Sequence, residues 1–255
     1  MRALKLLSVA LGLVAAMPAL AAETPEVPSR NWSFDGFFGT YDRAALQRGF
    51  QVYKEVCAAC HSMNLVAYRH LGDPGGPGFN EAEVKAIAAS VEVTNALPND
   101  QGEMFQRPGL PSDNFKAPFA NDQAAKAANN GALPPDLSLI AKARLGGADY
   151  IHALLTGYAD PPADFKLSQG LNYNKYFPGH QIAMAPPLAP DAVSYTDGTQ
   201  ATVDQMASDV THFLMWAAEP KLEERKRIGF QAILFLIVAT GVFYAVKRKV
   251  WADVH

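Results

Sequence analysis

Both cysteines of this 255-residue chain fall in one pentapeptide, Cys57-Ala58-Ala59-Cys60-His61. Four chemistries use a close cysteine pair, and the pair restricts what the chain can fold around. A structural disulfide staples distant segments, whereas a bridge across two residues closes only a small loop. A dithiol redox site shares the spacing but expects a strand-to-helix setting, which the surrounding pattern lacks. Zinc needs about four ligands, and the pair offers two thiolates. Covalent haem attachment uses all three side chains: each thiol adds to one vinyl group, and the adjacent histidine lies beneath the iron. The motif predicts one covalently attached haem c on Cys57 and Cys60, with His61 as proximal ligand.

Export supports that reading. Arg2 and Lys5 precede an apolar run at 6–16, and Ala19-Leu20-Ala21 supplies a small-residue cleavage site. Residues 1–21 therefore read as a cleaved signal peptide, the run being short for a membrane span. Near the other end, Ile228 to Val246 carries no charge. As a helix it is about 28 Å long, the thickness of a bilayer's hydrocarbon core. We expect 228–246 to anchor the chain in the lipid membrane and 247–255 to form a cytoplasmic tail. Lys247, Arg248 and Lys249 suit that orientation, but Arg225, Lys226 and Arg227 flank the other end. The orientation therefore rests on the signal peptide. The haem domain, 22–227, is expected on the periplasmic side of a bacterial inner membrane. It holds 24 acidic and 17 basic residues, a net charge of −7. Such a field disfavours nucleic acid and attracts a basic partner.

Helical periodicity dominates what remains. The segment at 23–40, with its prolines and aromatics, reads as an extended arm over a core. Asp42 can cap a helix in which Leu46, Phe50, Tyr53 and Cys57 share one face, delivering the CxxCH turn. Residues 72–135 are rich in Gly, Pro, Asn and Asp around a short helix at 81–93, a pattern of wrapping loops. Asp136 and Asp149 read as caps of two further helices. Thr202 and Gln205 fit a capping box ahead of the clearest apolar stripe, through Ala217. No convincing alternating strand is present. The fold class is mainly α.

A haem electron carrier needs a second axial ligand. The candidates are Met63, Met104, Met184, Met206 and Met215, with His70, His152, His180 and His212. Met63 is too close to His61 along the chain, and Met206 belongs to a core-facing stripe. Met104 and Met184 sit in loops and stay open. Met184 has the advantage of Pro186-Pro187 stiffening its loop. A thioether would raise the potential relative to a second histidine. Haem propionates call for cationic partners, and Arg69, Arg107, Lys142 and Arg144 are candidates.

Several longer segments carry a resemblance: "CAACHSMNLVAYRHL", "NNGALPPDLSLIAKARLGGADYIHALLTGY", "NKYFPGHQIAMAPPL" and "DGTQATVDQMASDVTHFLMWAAEP". With the C-terminal anchor, they make the chain similar to the cytochrome c1 family. The resemblance implies a class I cytochrome c-like haem domain with long loop insertions, its helix before CxxCH crossing one near 202–217. It implies that Cys57 and Cys60 carry the thioether links, that His61 and Met184 are the axial ligands, and that Arg144, with Tyr150 nearby, partners a propionate. It also implies the role of electron-transfer subunit in the cytochrome bc1 complex. There the chain takes an electron from the Rieske iron–sulfur subunit and passes it to a soluble or membrane-tethered cytochrome c. The quinol site would lie on cytochrome b, so the chain is an enzyme only as a subunit and performs no bond chemistry itself. Residues 73–113, with seven acids against Lys85 and Arg107, would then form part of a docking field for a basic cytochrome c. Some bacterial relatives add a second cysteine pair near the distal loop. This chain has none, so 160–183 is expected to be held by packing alone. Two other readings compete: a stand-alone membrane-anchored monohaem cytochrome c serving a terminal oxidase, and a haem enzyme or gas sensor with an open sixth position.

Overall fold

The computed structural model describes residues 25–253. The signal-peptide segment 1–21 lies outside them. Helix α1 (Arg43–Glu55) starts where Asp42 accepts hydrogen bonds from the Ala44 and Ala45 amides, satisfying two of the free donors at a helix start. It ends in a 3₁₀ turn at Cys57–Ala59. Helices α2 (Glu81–Ala89), α3 (Asp122–Ala128), α4 (Ile140–Ala143) and α5 (Gly147–Thr156) follow. Helix α6 (Val203–Ala218) is packed, and α7 (Leu222–Val250) starts at buried Leu222 and exposes its apolar stretch.

Helix α1 crosses α6 in the main packing of the domain. Leu46, Phe50 and Tyr53 meet Phe213, Val210 and Trp216 in one buried cluster. Burying each large apolar side chain contributes about 1.5–3 kcal/mol. The crossing is close because Gly49 has no side chain: a Cβ there would lie 2.0 Å from the Asp209 carbonyl oxygen and 2.8 Å from the Phe213 Cβ. Beside it, Arg48 grips the buried Asp209 carboxylate through Nε (2.9 Å) and Nη2 (3.0 Å), and reaches Asp197 through Nη1. Two helices are thus joined by a close backbone approach and a bidentate ion pair.

The arm covers the other side of α6. Trp32 and Phe34 are stacked and buried, and both rings meet His212 edge-on. This explains why His212, on the less apolar side of the α6 stripe, is buried. Tyr41 donates from its hydroxyl to the Glu219 carbonyl.

Three local expectations are corrected. Asp149 does not cap α5: Gly146, at φ 82°, occupies the N-cap position. Asp149 instead accepts from the Arg30 amide and the Trp32 indole, tying down the arm. Asp136 caps no helix, because α4 begins only at Ile140. The capping box of α6 is half formed: Thr202 accepts from the Gln205 amide, but the Gln205 side chain donates to Asp209.

Four short strands also occur in the loops. β1 (Glu92–Thr94) pairs antiparallel with β2 (Gln106–Pro108), and β3 (Asn172–Tyr173) with β4 (Gln181–Ile182). At two or three residues each they are too short to show alternation. The fold stays mainly helical. The apolar segment 228–246 lies inside α7, which is long and apolar enough to cross a membrane and whose apolar stretch is not buried inside the molecule.

Candidate haem-binding site

The turn after α1 brings Cys57, Cys60 and His61 together through a shared acceptor. The Cys57 carbonyl receives both the Cys60 amide (3.1 Å) and the His61 amide (2.9 Å). Both thiols are free, Cys57 half-buried and Cys60 exposed. Burial, reinforced by nearby Cys60, pushes the Cys57 thiol up to about 12, so it is neutral at physiological pH.

A strip from the far loop zips against the residues after the motif. The Pro135 carbonyl lies 2.8 Å from His61 Nδ1. Asp136 accepts from the Ser62 hydroxyl and the Asn64 amide, both at 2.8 Å. The Leu137 amide donates to the Ser62 carbonyl, and the buried Ser138 hydroxyl accepts from the Leu65 amide. On the other side, Phe115, Tyr68 and Arg69 pair through their amides with Val66, Asp113 and Pro111. The segment carrying His61 is thus held from two sides. With Nδ1 committed to a carbonyl, the ring's free nitrogen is Nε2 in the tautomer that binds a metal. Burial lowers the His61 pKa, against the opposing pull of Pro135 and Asp136, which keeps the imidazole neutral. Burial also raises the Asp136 pKa, but its hydrogen bonds from Ser138, Asn64 and Ser62 outweigh this and hold it below the usual carboxylate range.

Met184 is half-buried in the loop after β4. Its carbonyl accepts from the Tyr158 hydroxyl at 3.1 Å and from the Asn172 amide group at 3.4 Å. The fully buried Asn174 donates to the Leu154 carbonyl and accepts from the Tyr176 amide, while the Lys175 amide bonds to the Gly157 carbonyl. The expectation that packing alone holds 160–183 is therefore corrected. Hydrogen bonds from the end of α5, with the β3–β4 pair, brace the loop.

The other axial candidates have different surroundings. Met104 is 57% exposed on the β1–β2 hairpin, and Met63 and Met206 are sealed in the core. Met215 packs on the core's edge. His70 accepts from the Ala67 amide, and His152 lies between Arg30 and Asp204. His180 stacks on Tyr173. Of the cations, Arg107 is held bidentately by Asp113, and Lys142 pairs with Glu219. Arg144 is exposed and donates only weakly to the Ala143 carbonyl at 3.3 Å. It lies close enough to buried Tyr150 to oppose the burial-driven rise of that phenol's pKa. Tyr150 in turn neighbours Tyr158.

The donor set fits a covalently held haem: two unpaired thiols, a neutral imidazole with one nitrogen free, a thioether on a braced loop and an uncommitted guanidinium. Exposed Leu133 and Leu139 flank the zipped strip, offering apolar surface for a porphyrin to cover. Among the described residues, no group of three His, Cys, Asp or Glu side chains could hold a free metal ion. The CxxCH spacing announced the near half of this arrangement. The roles of Pro135, Asp136, Tyr158 and Asn172 had no signal in the sequence, because each acts through hydrogen bonds to residues 12 to 74 positions away.

The Cytochrome C1 family model matches residues 32–254. Cytochrome c1 of Rhodospirillum rubrum is 49% identical over 96% of each chain. A mitochondrial cytochrome c1 haem protein of Arabidopsis thaliana is 52% identical over 90% of this chain and 73% of its own length. The cytochrome b/c1 of Bradyrhizobium diazoefficiens is 49% identical over 97% of this chain, which spans 40% of that longer protein. The chain belongs to the cytochrome c1 family, that of the haem-bearing electron-transfer subunit of the cytochrome bc1 complex.

Proposed function

We propose that this chain accepts an electron from a Rieske iron–sulfur subunit and passes it to a cytochrome c. It does so beside cytochrome b, as the haem subunit of a quinol–cytochrome c reductase. The observation that carries this is the CxxCH turn whose histidine is oriented by Pro135. Cys57 and Cys60 would hold the group by thioether bonds, His61 Nε2 and Met184 sulfur would be its axial ligands, and Arg144 with Tyr150 would face a propionate. A haem bound there supplies one-electron Fe(II)/Fe(III) chemistry at a potential raised by the thioether. The protein's own part is to hold two ligands rigidly. The zipped strip fixes the imidazole, and the Tyr158–Asn172 clamp fixes the methionine loop. Stiff ligation leaves little to reorganise when charge changes.

The acidic segment supports a basic acceptor. Glu81 pairs with Lys85 and Asp113 with Arg107. Asp73, Glu83, Glu92, Asp100 and Glu103 are exposed with no ion-pair partner among the described residues. Their effect would fall on association rate more than on affinity. Helix α7 would hold the domain at the bilayer, with 1–21 removed and the haem domain in the periplasm.

The test is a denaturing gel stained for haem, using full-length chain matured in an export-competent host. Haem should stay with the polypeptide and be lost in Cys57→Ser/Cys60→Ser. The intact complex should reduce cytochrome c from quinol, and its haem-less variant should not. Haem that washes out of the native chain would refute the covalent reading.

A further inference from the structure

Exposed phenylalanines are rare on a charged surface, and two occur side by side at the tip of the arm. Phe38 is 78% exposed and Phe37 47%. Asp35 and Gly36 turn the chain there, with Gly36 at φ 67°. The two rings meet edge-on at 4.9 Å between centroids, and each lies 6.0 Å from Phe230 in the first turns of α7.

The tip is held there deliberately. Lys226 donates to the carbonyls of Phe34 (2.6 Å) and Gly39 (3.1 Å). Glu223 accepts from the Tyr41 amide and, through both carboxylate oxygens, from Arg43 Nη2. Lys226 and Glu223 thus spend their charges binding the arm and the start of α1 to α7. Arg225 pairs with Glu219, and Lys221 with Glu224. Arg227 is the remaining cation of this turn, exposed and with no partner among the described residues. It borders the cavity between the Phe37–Phe38 tip and Phe230.

Position decides what this patch meets. Phe230 is three residues beyond Arg227, about 4.5 Å along the helix, at the start of the apolar stretch of α7. The rings therefore stand at the depth where charged flank gives way to apolar span. Aromatic and apolar side chains favour that boundary, and a cation just above it lies level with lipid phosphates. The patch is continuous with the lipid-facing surface of α7, which favours lipid over a protein partner.

We infer that the Phe37–Phe38 tip is a second membrane contact, inserting its rings beside Phe230 at the bilayer interface with Arg227 facing an anionic lipid phosphate. Together with α7 it makes two attachments, which restrict rocking of the haem domain about its anchor. The inference rests on α7 lying in the bilayer, so the test reports that separately.

The test uses the haem-loaded full chain, in which Cys57 and Cys60 are consumed by thioether bonds. Single nitroxide labels are placed at Phe38→Cys, Phe105→Cys and Phe235→Cys, in nanodiscs of phosphatidylcholine and phosphatidylglycerol. Relaxation by oxygen, which concentrates in lipid, is compared with relaxation by a water-soluble nickel chelate. The label at 38 should show an oxygen-to-nickel ratio several-fold above that at 105, the exposed hairpin, and below that at 235, mid-helix. A ratio at 38 equal to that at 105, with 235 lipid-shielded, would overturn the inference alone. Shielding at 38 from both reagents would mean burial against protein and would also overturn it. Nickel access at 235 would overturn the anchor reading itself.

Discussion

The Tyr158 hydroxyl donates to the Met184 carbonyl across 3.1 Å, joining the end of α5 to the proposed distal ligand by a bond that bypasses 25 intervening residues. Burial, with Tyr150 adding to it, pushes the Tyr158 pKa well above its ordinary value, so the phenol remains a donor throughout the physiological range. One such bond contributes about 0.5–1.5 kcal/mol net. Tyr158→Phe is expected to loosen the methionine loop by that amount. Exogenous imidazole should displace the sulfur about 2- to 10-fold more readily, with the ferric spectrum as readout and the fold unchanged. An unaltered displacement constant would show that Tyr158 does not hold the methionine loop.

Gly49 is expected to tolerate no side chain. A methyl would collide with the Asp209 backbone, and overpacking a core costs about 1–3 kcal/mol or more. Gly49→Ala should lower the urea midpoint markedly, whereas Gly229→Ala, whose Cβ would meet nothing within 4 Å, should leave it in place.

The Arg48–Asp209 pair joins a carboxylate 1% exposed to an arginine 16% exposed. Removing one partner of such a pair costs about 3–5 kcal/mol, while an apolar replacement of both costs much less. Arg48→Met should therefore destabilise the domain more than Arg48→Met/Asp209→Leu. Denaturant curves of the two variants decide it, and the reverse order would contradict the reading.

The Leu46–Phe50–Tyr53 face and the α6 stripe were readable because apolar spacing repeats every three to four residues, and the CxxCH turn because its spacing is the one that covalent haem attachment uses. Asp136, Asp149 and Asp209 all stand in or near helical segments, where a carboxylate looks like a cap or a solvated charge. Their partners lie 117 to 161 residues away for Trp32–Asp149 and Arg48–Asp209, and no local pattern encodes such a distance.

Asp136 gives a pH dependence. Its folded pKa is held below the 3.8 of the free carboxyl, so the unfolded chain takes up its proton first as pH falls. The stability it contributes is complete above about 4 and is lost as pH drops through the lower folded value. Asp136→Asn should cost stability at neutral pH and flatten the acid limb below pH ~4. Parallel curves for the two proteins would exclude the carboxylate as the acid-sensitive tie.

The exposed hairpin acids predict salt sensitivity. Glu92→Gln/Asp100→Asn/Glu103→Gln should slow association with a basic cytochrome c several-fold at low ionic strength, and the difference should vanish once the screening length falls to about 3 Å near 1 M salt. Stopped-flow oxidation of the reduced complex measures it. Rates indifferent to salt would place docking elsewhere.

His61 and Met184 are proposed to complete the coordination of an electron carrier. The most direct test of this ligation is the far-red sulfur-to-iron absorption band of the ferricyanide-oxidised protein, compared with Met184→Leu. A band is expected in the native protein that disappears in the variant, together with a lower midpoint potential and newly acquired carbon monoxide binding in the ferrous state. A native protein without the band that binds carbon monoxide once reduced would contradict this ligation, and would point to a haem with an open sixth position.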